Sequence, residues 1–186
     1  MKIWSPDLYI KAWNFACSAH LGQKVPGTDL PYVNHIANVS MEVMTAIAYE
    51  SDIDNPDLAV QSALLHDTLE DTKVCYNKIK SIFGEDVAKG VLALTKDKNL
   101  SKKADQMKDS LNRILQQPKE IWMVKLADRI TNLQPPPNYW SKEKIVQYHK
   151  EAIEIFDTLR LANKILEQRL LTDVTCIDIA LTFLFL

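Results

Sequence analysis

Residues 63–72 read ALLHDTLEDT, a stretch that is apolar at Ala63, Leu64, Leu65 and Leu69 yet carries His66, Asp67, Glu70 and Asp71. It comes after an Asp54-Asn55-Pro56 turn and cap, so the spacing predicts one helix from Pro56 to about Asp71. On a helix, side chains three and four residues apart share a face. Glu70 would then lie beside both His66 and Asp67, with Asp71 over Asp67. Charged groups are costly to bury without partners. A cluster of this kind on an apolar helix calls for a compensating cation, and a metal ion is the simplest one.

Outward from this stretch, the pattern stays helical. Ser5-Pro6-Asp7 reads as an N-cap with proline in the first turn, opening a helix to about His20. Residues 22–31 contain Pro26, Gly27 and Pro31 and read as a loop. A second helix begins near Tyr32 with His35, Val39, Val43 and Ile47 on one face. Short helices are expected at Asn77–Phe83, ended by Gly84, and at Glu85–Thr95. The Lys- and Asp-rich run Lys96–Lys108 reads as a solvated loop. Helices are then expected at Ser110–Gln117 and Ile121–Asn132, a break at Pro135-Pro136-Pro137, and a long helix from Ser141 through Leu166.

Only 4 glycines and no clear alternating pattern also favour an all-α chain. The 186 residues suffice for one domain with a sizeable core. With 47% apolar and 25% charged residues and a net charge of -2, nothing points to nucleic acid or an anionic membrane as a partner. Cys17, Cys75 and Cys176 lack any CxxC pair and read as three reduced, partly buried thiols. The N-terminus has no signal-peptide pattern. The apolar tail from Thr175 is too short for a bilayer, which takes about 20 residues, and reads as a closing core or interface helix.

Two other places put a metal-capable side chain in an apolar helical context. They are His35, in PYVNHIANV, and Asp128, in VKLADRITNL. With His66 and Asp67 they make two imidazoles and two carboxylates drawn from three helices. Mixed nitrogen and oxygen donors suit Mn, Fe, Zn or Co better than Ca or Mg, and the count leaves positions open, as in catalytic sites. Glu70 and Asp71 could take a proton from a nucleophile or orient it. Asn132 shares the face of Asp128, and Lys125 and Arg129 flank that residue. His20 and His149 read as surface or structural.

The order H…HD…ED…D…N resembles the HD-domain phosphohydrolases. AHLGQK…PYVNH, ALLHDTLEDT, FGEDVAKGVLALTK and VKLADRITNL, with WSKEKIVQY, resemble more narrowly the hydrolase domain of RelA/SpoT-type alarmone enzymes, above all the stand-alone small alarmone hydrolases of the metazoan SpoT-homologue type. The resemblance covers about residues 9–166. It implies an HD-domain helical bundle and a single HD hydrolase domain over residues 1–186, the tail 172–186 aside. It further implies Mn²⁺, or another divalent transition metal, held by His35, His66, Asp67 and Asp128. The implied reaction removes the 3′-pyrophosphate of (p)ppGpp to give GDP or GTP, with Glu70 and Asp71 as the catalytic carboxylates. Lys24, Lys98, Asn132, Lys144 and Tyr148 fall at substrate-contacting positions. A cytoplasmic location goes with this reading, and oligomeric state stays open, a homodimer included.

The chain departs from the family after Gln23, where relatives carry two or three basic residues and this chain has only Lys24 before Val25-Pro26. Ile36 also replaces the usual proline after the first ligand histidine. Two rival readings remain: an HD phosphohydrolase acting on another nucleotide such as NADPH, and a non-catalytic nucleotide-binding regulator of the same fold.

Overall fold

The computed structural model describes residues 3–50, 53–133 and 140–184, with side chains through Ile177. Its described elements are helical throughout. Helix α1 (Pro6–Ala19) starts where its cap dictates, with the Ser5 hydroxyl accepting the Leu8 N–H at 3.4 Å. The loop after it turns at Gly22, where φ is +80° and a side chain would be strained. The two arms of the loop then pair, Val25 N–H to the Leu30 carbonyl and Tyr32 N–H to the Gln23 carbonyl, each at 2.9 Å. This delivers the chain into α2 (Val33–Tyr49).

Helix α3 (Pro56–Leu65) is the axis of the molecule. Asn55 caps it, its Oδ1 accepting the Leu58 N–H at 3.1 Å. Every residue of PDLAVQSALL except Asp57 is buried, as expected of a helix that is apolar almost all round. Around it pack α1, α2, α6 (Glu85–Leu94) and α8 (Lys119–Asn132). Ile36, Leu64, Leu65, Ile121, Leu126 and Ile130 fill the space between them with no exposed surface.

Four expectations need correction. The helix predicted from Pro56 to about Asp71 is two: α3 ends at Leu65, His66 and Asp67 form a turn, and α4 (Thr68–Asp71) comes next. The cause is local. The His66 Nδ1 lies 2.8 Å from the Ala63 carbonyl, which in a continuous helix would accept the Asp67 N–H. A side chain inserted into that ladder bends or ends it. Secondly, the long helix expected through Leu166 stops at Leu159. Between α9 (Lys142–Leu159) and α10 (Lys164–Leu184) lies a 3-10 turn, Arg160–Ala162, and then Asn163. The Asn163 Oδ1 accepts the N–H groups of Ile165 and Leu166 at 2.9 and 3.1 Å, starting a new helix inside an otherwise unbroken apolar stripe.

Thirdly, α7 (Lys103–Leu115) begins seven residues before the expected Ser110, because Met107, Leu111 and Ile114 share a buried face. The loop therefore shrinks to residues 96–102. Fourthly, Cys75 and Cys176 are exposed, so a partly buried thiol describes only Cys17; all three are free. The Pro135-Pro136-Pro137 break lies outside the described residues. The tail from Thr175 continues α10, and no described helix is long and apolar enough to cross a membrane.

Gly90 lets α6 approach α3 and α8. A Cβ there would sit 2.4 Å from the Ile121 Cδ1 and 3.3 Å from the Ser62 Oγ. Gly90→Val should therefore destabilise the fold by about 1–3 kcal/mol through overpacking, read as a lower midpoint in chemical denaturation.

Candidate metal centre and catalytic site

The end of α3 sets the geometry of the site. With Nδ1 engaged by the Ala63 carbonyl, the His66 ring points its Nε2 inward, 3.3 Å from the Nε2 of His35 on the first turn of α2. Asp128, in the second half of α8, places Oδ1 3.4 Å from the His35 Nε2 and 4.0 Å from the His66 Nε2. One donor atom from each of His35, His66 and Asp128 thus lies within 4.8 Å of the others. Asp67 stands beside them, its Oδ2 2.9 Å from the His66 Nε2 and 3.6 Å from the His35 Nε2. It also accepts the Tyr32 hydroxyl. Two imidazoles and two carboxylates converging in a buried place fit a divalent transition-metal ion, and the Ala63 bond is the outer support that such ligands commonly have.

The charges are mutually sustaining. Burial opposes ionisation of Asp128, but the Lys125 ammonium, 3.0 Å from its Oδ2, and the two imidazoles hold its carboxyl well below the ordinary range. Lys125 is only 6% exposed, so its charge is committed to Asp128. Asn132, one turn on, donates its amide to the Asp128 Oδ1 and so orients the carboxylate. Burial likewise opposes the charged forms of His66 and Asp67, and their mutual attraction wins: the Asp67 carboxyl is lowered and the His66 imidazole is held up at about 9. Burial and then the Asp67 charge push the Tyr32 phenol far up, so it stays a donor.

The cluster opens into a cavity of 330 Å³. Glu70, Asp71, Lys96, Asn132 and Tyr148 line it, with Val25 and Pro26 at the side of the α1–α2 loop. Beyond Glu70 and Asp71 a second groove of 730 Å³ runs past Gln23, Lys73 and Lys98. α4 is therefore a wall between the two spaces. Both loops clamp that wall. Gln23 Nε2 donates to the Asp71 carbonyl at 2.7 Å, and Lys98 Nζ donates to the Glu70 carbonyl at 2.6 Å. The Asp71 carboxyl is raised, first by burial and then by the neighbouring charges of Asp67 and Glu70, which suits a proton acceptor.

The other expected residues are placed unevenly. Tyr148 reaches the cavity, with the Arg129 guanidinium 4.4 Å over its ring. Arg129 itself lies 3.4 Å from Glu151 and does not line the cavity. Lys144 stands over the Trp140 ring at 4.0 Å, and Lys24 pairs with Asp29 at 2.6 Å; neither lines the cavity. His149 is buried, its Nε2 3.2 Å from the Val174 carbonyl. His20 is buried too, with Nδ1 2.7 Å from the Gln23 Oε1. Both are structural. Sequence reasoning missed Tyr32 and Lys96. Tyr32 could have been found from its place three residues before His35.

The chain is similar to known proteins over most of its length. A model of the HD domain matches residues 12–165. The guanosine-3′,5′-bis(diphosphate) 3′-pyrophosphohydrolase MESH1 of Xenopus tropicalis is 34% identical over 169 residues, covering 88% of this chain and 90% of that protein. Its counterpart in Danio rerio is 30% identical over 175 residues, covering 91% and 94%. A solved structure described as a metazoan ortholog of SpoT that hydrolyzes ppGpp superposes with a TM-score of 0.77 at 29% identity, over 92% of this chain and 96% of that one.

The His66 value sets a proton-linked prediction. Below pH 9 the metal-free ring is protonated, whereas ligation through Nε2 needs the neutral form. Loading a divalent ion at pH 7.5 should therefore release close to one proton, and apparent affinity should rise with pH until about 9 and then level. Calorimetry in buffers of different ionisation enthalpy would read the release. An uptake of protons, or none, would contradict it.

Proposed function

Since the chain belongs to the HD-domain family, in the branch of the guanosine-3′,5′-bis(diphosphate) 3′-pyrophosphohydrolases, we propose that it hydrolyses the 3′-pyrophosphate of (p)ppGpp. The observation that carries this is the wall of Glu70 and Asp71 facing the His35, His66, Asp128 cluster across one cavity. In the reaction, a water oxygen bonds to the phosphorus next to the ribose, and the P–O3′ bond breaks. GDP or GTP leaves with its 3′ hydroxyl, and pyrophosphate is released. Bound Mn²⁺, which we assign to His35, His66, Asp67 and Asp128, would lower the pKa of water and neutralise phosphoryl charge.

The chain's own groups do the rest. Asp71, with its raised proton affinity, accepts the proton that water gives up. Glu70 is fixed by the Lys96 N–H, donated to its Oε2 at 3.0 Å, and orients the water. Asn132 and Lys125 keep Asp128 aimed. Tyr148 offers an aromatic face to the ribose or base. This reading takes residues 1–186 as one cytoplasmic hydrolase domain.

A second substrate class belongs in the same assay. Val25 and Pro26 line the cavity while Lys24 points to Asp29, so the loop presents an apolar wall rather than cations specific for guanine. NADPH is the comparison substrate. The full chain with Mn²⁺ would be offered ppGpp, pppGpp and NADPH, and the products separated by ion exchange. We expect GDP and pyrophosphate from ppGpp; their absence would overturn the proposal. Asp67→Ala should lose retained metal by elemental analysis. Asp71→Asn should keep it while kcat falls by about 10²-fold or more, the usual cost of a lost proton-handling group.

A further inference from the structure

We propose that Lys96, rather than Lys98, is the lysine that grips the diphosphate being removed, its ammonium passing from Glu70 to the substrate. The inference rests on the function given above. The two lysines sit two positions apart on the α6–α7 loop but face different spaces. Lys98 lines the outer groove, and its ammonium is held by the Glu70 carbonyl at 2.6 Å. Lys96 lines the cavity that holds His35, His66 and Asp128. Its ammonium lies 3.7 Å from the Glu70 Oε1, an ion pair without a short hydrogen bond, and therefore one that a phosphate oxygen can displace.

The root of Lys96 is rigid. Arg113 of α7 donates to the carbonyls of Leu92, Ala93 and Thr95, the last at 2.7 Å, and so closes the C-terminus of α6. Ser110 donates to the Ala93 carbonyl at 3.0 Å. The backbone is therefore fixed up to Thr95, and the side chain of Lys96 supplies the reach. Glu70 does not depend on the ammonium for its aim, because the Lys96 N–H holds its Oε2 at 3.0 Å. The side chain can leave while the carboxylate stays.

Charge balance explains why a cation is needed at this point. The cavity is lined by the carboxylates of Asp67, Glu70, Asp71 and Asp128. A divalent ion, Lys125 and Lys96 together neutralise them. Lys125 is already bonded to the Asp128 Oδ2 at 3.0 Å. Lys98, 3.8 Å from the Asp71 Oδ1, stands on the outer side of α4. Without Lys96 the cavity side would therefore lose the one cation, among the described residues, that is not bonded to a metal-cluster carboxylate, and a less positive surface weakens binding of a polyanion.

The test compares wild type with Lys96→Met and Lys96→Arg, each with Mn²⁺ loaded, and reads both ppGpp turnover and calorimetric binding of inorganic pyrophosphate. For Lys96→Met we expect the pyrophosphate dissociation constant and KM to rise by about 10- to 100-fold, the range of a hydrogen bond to a charged group. Lys96→Arg should recover most of both, and metal retention should be unchanged. Unaltered pyrophosphate affinity in Lys96→Met would overturn the assignment. A fall in kcat alone would do so too, because it would mark Lys96 as a support for Glu70. Should wild type leave ppGpp intact, the proposed function fails; the pyrophosphate titrations still decide the role of Lys96.

Discussion

One hydrogen bond organises this molecule: the His66 ring to the Ala63 carbonyl. It takes the acceptor that would have carried α3 onward, so the central buried helix stops inside the core instead of crossing it. It fixes one ring nitrogen as a donor and leaves the other facing His35 and Asp128. It also sets Asp67 in a turn, where the carboxylate can face both imidazoles and the Tyr32 hydroxyl. A continuous helix would instead spread the same side chains along a single face.

The short helix after this turn could not stand alone. Isolated helices need about 12–15 residues to be even marginal in water, and α4 has four. Its order comes from outside. Gln23 and Lys98 satisfy the carbonyls of Asp71 and Glu70, and the Lys96 N–H fixes a Glu70 oxygen. His20 in turn steadies Gln23. The carboxylates of Glu70 and Asp71 are thus set by two loops that border the cavity, while His35, His66 and Asp128 are set by the ends and faces of long helices.

Most of the helices were legible in the sequence, because their starts rest on short-range chemistry. Ser5-Pro6, Asn55-Pro56, Gly84 and Ser141 act within one turn of themselves, and each bounds an element at or next to the place it predicts. The breaks at His66 and Asn163 were not legible. Each is a side chain competing with the backbone inside an apolar stripe, and periodicity does not register that competition. In the site, His35, His66, Asp67 and Asp128 were conspicuous as ionisable groups amid apolar neighbours. Tyr32 marks only the start of a helix in the sequence, and Lys96 is hidden in a run of lysines and aspartates that looks solvated. Lys24 and Lys144 have suitable chemistry at matching positions, but their ammonium groups stand against Asp29 and Trp140, which the sequence does not announce.

The α1–α2 loop divides its duties residue by residue. Gln23 is bound into the scaffold through His20 and the Asp71 carbonyl, whereas Lys24 is exposed and pairs with Asp29, and Val25 and Pro26 line the cavity. Adjacent positions therefore carry different structural demands. Substitutions at 25 and 26 would reshape the wall of the cavity while leaving Glu70, Asp71 and the His35, His66, Asp128 cluster in place, so what the cavity admits can change separately from the groups at its floor.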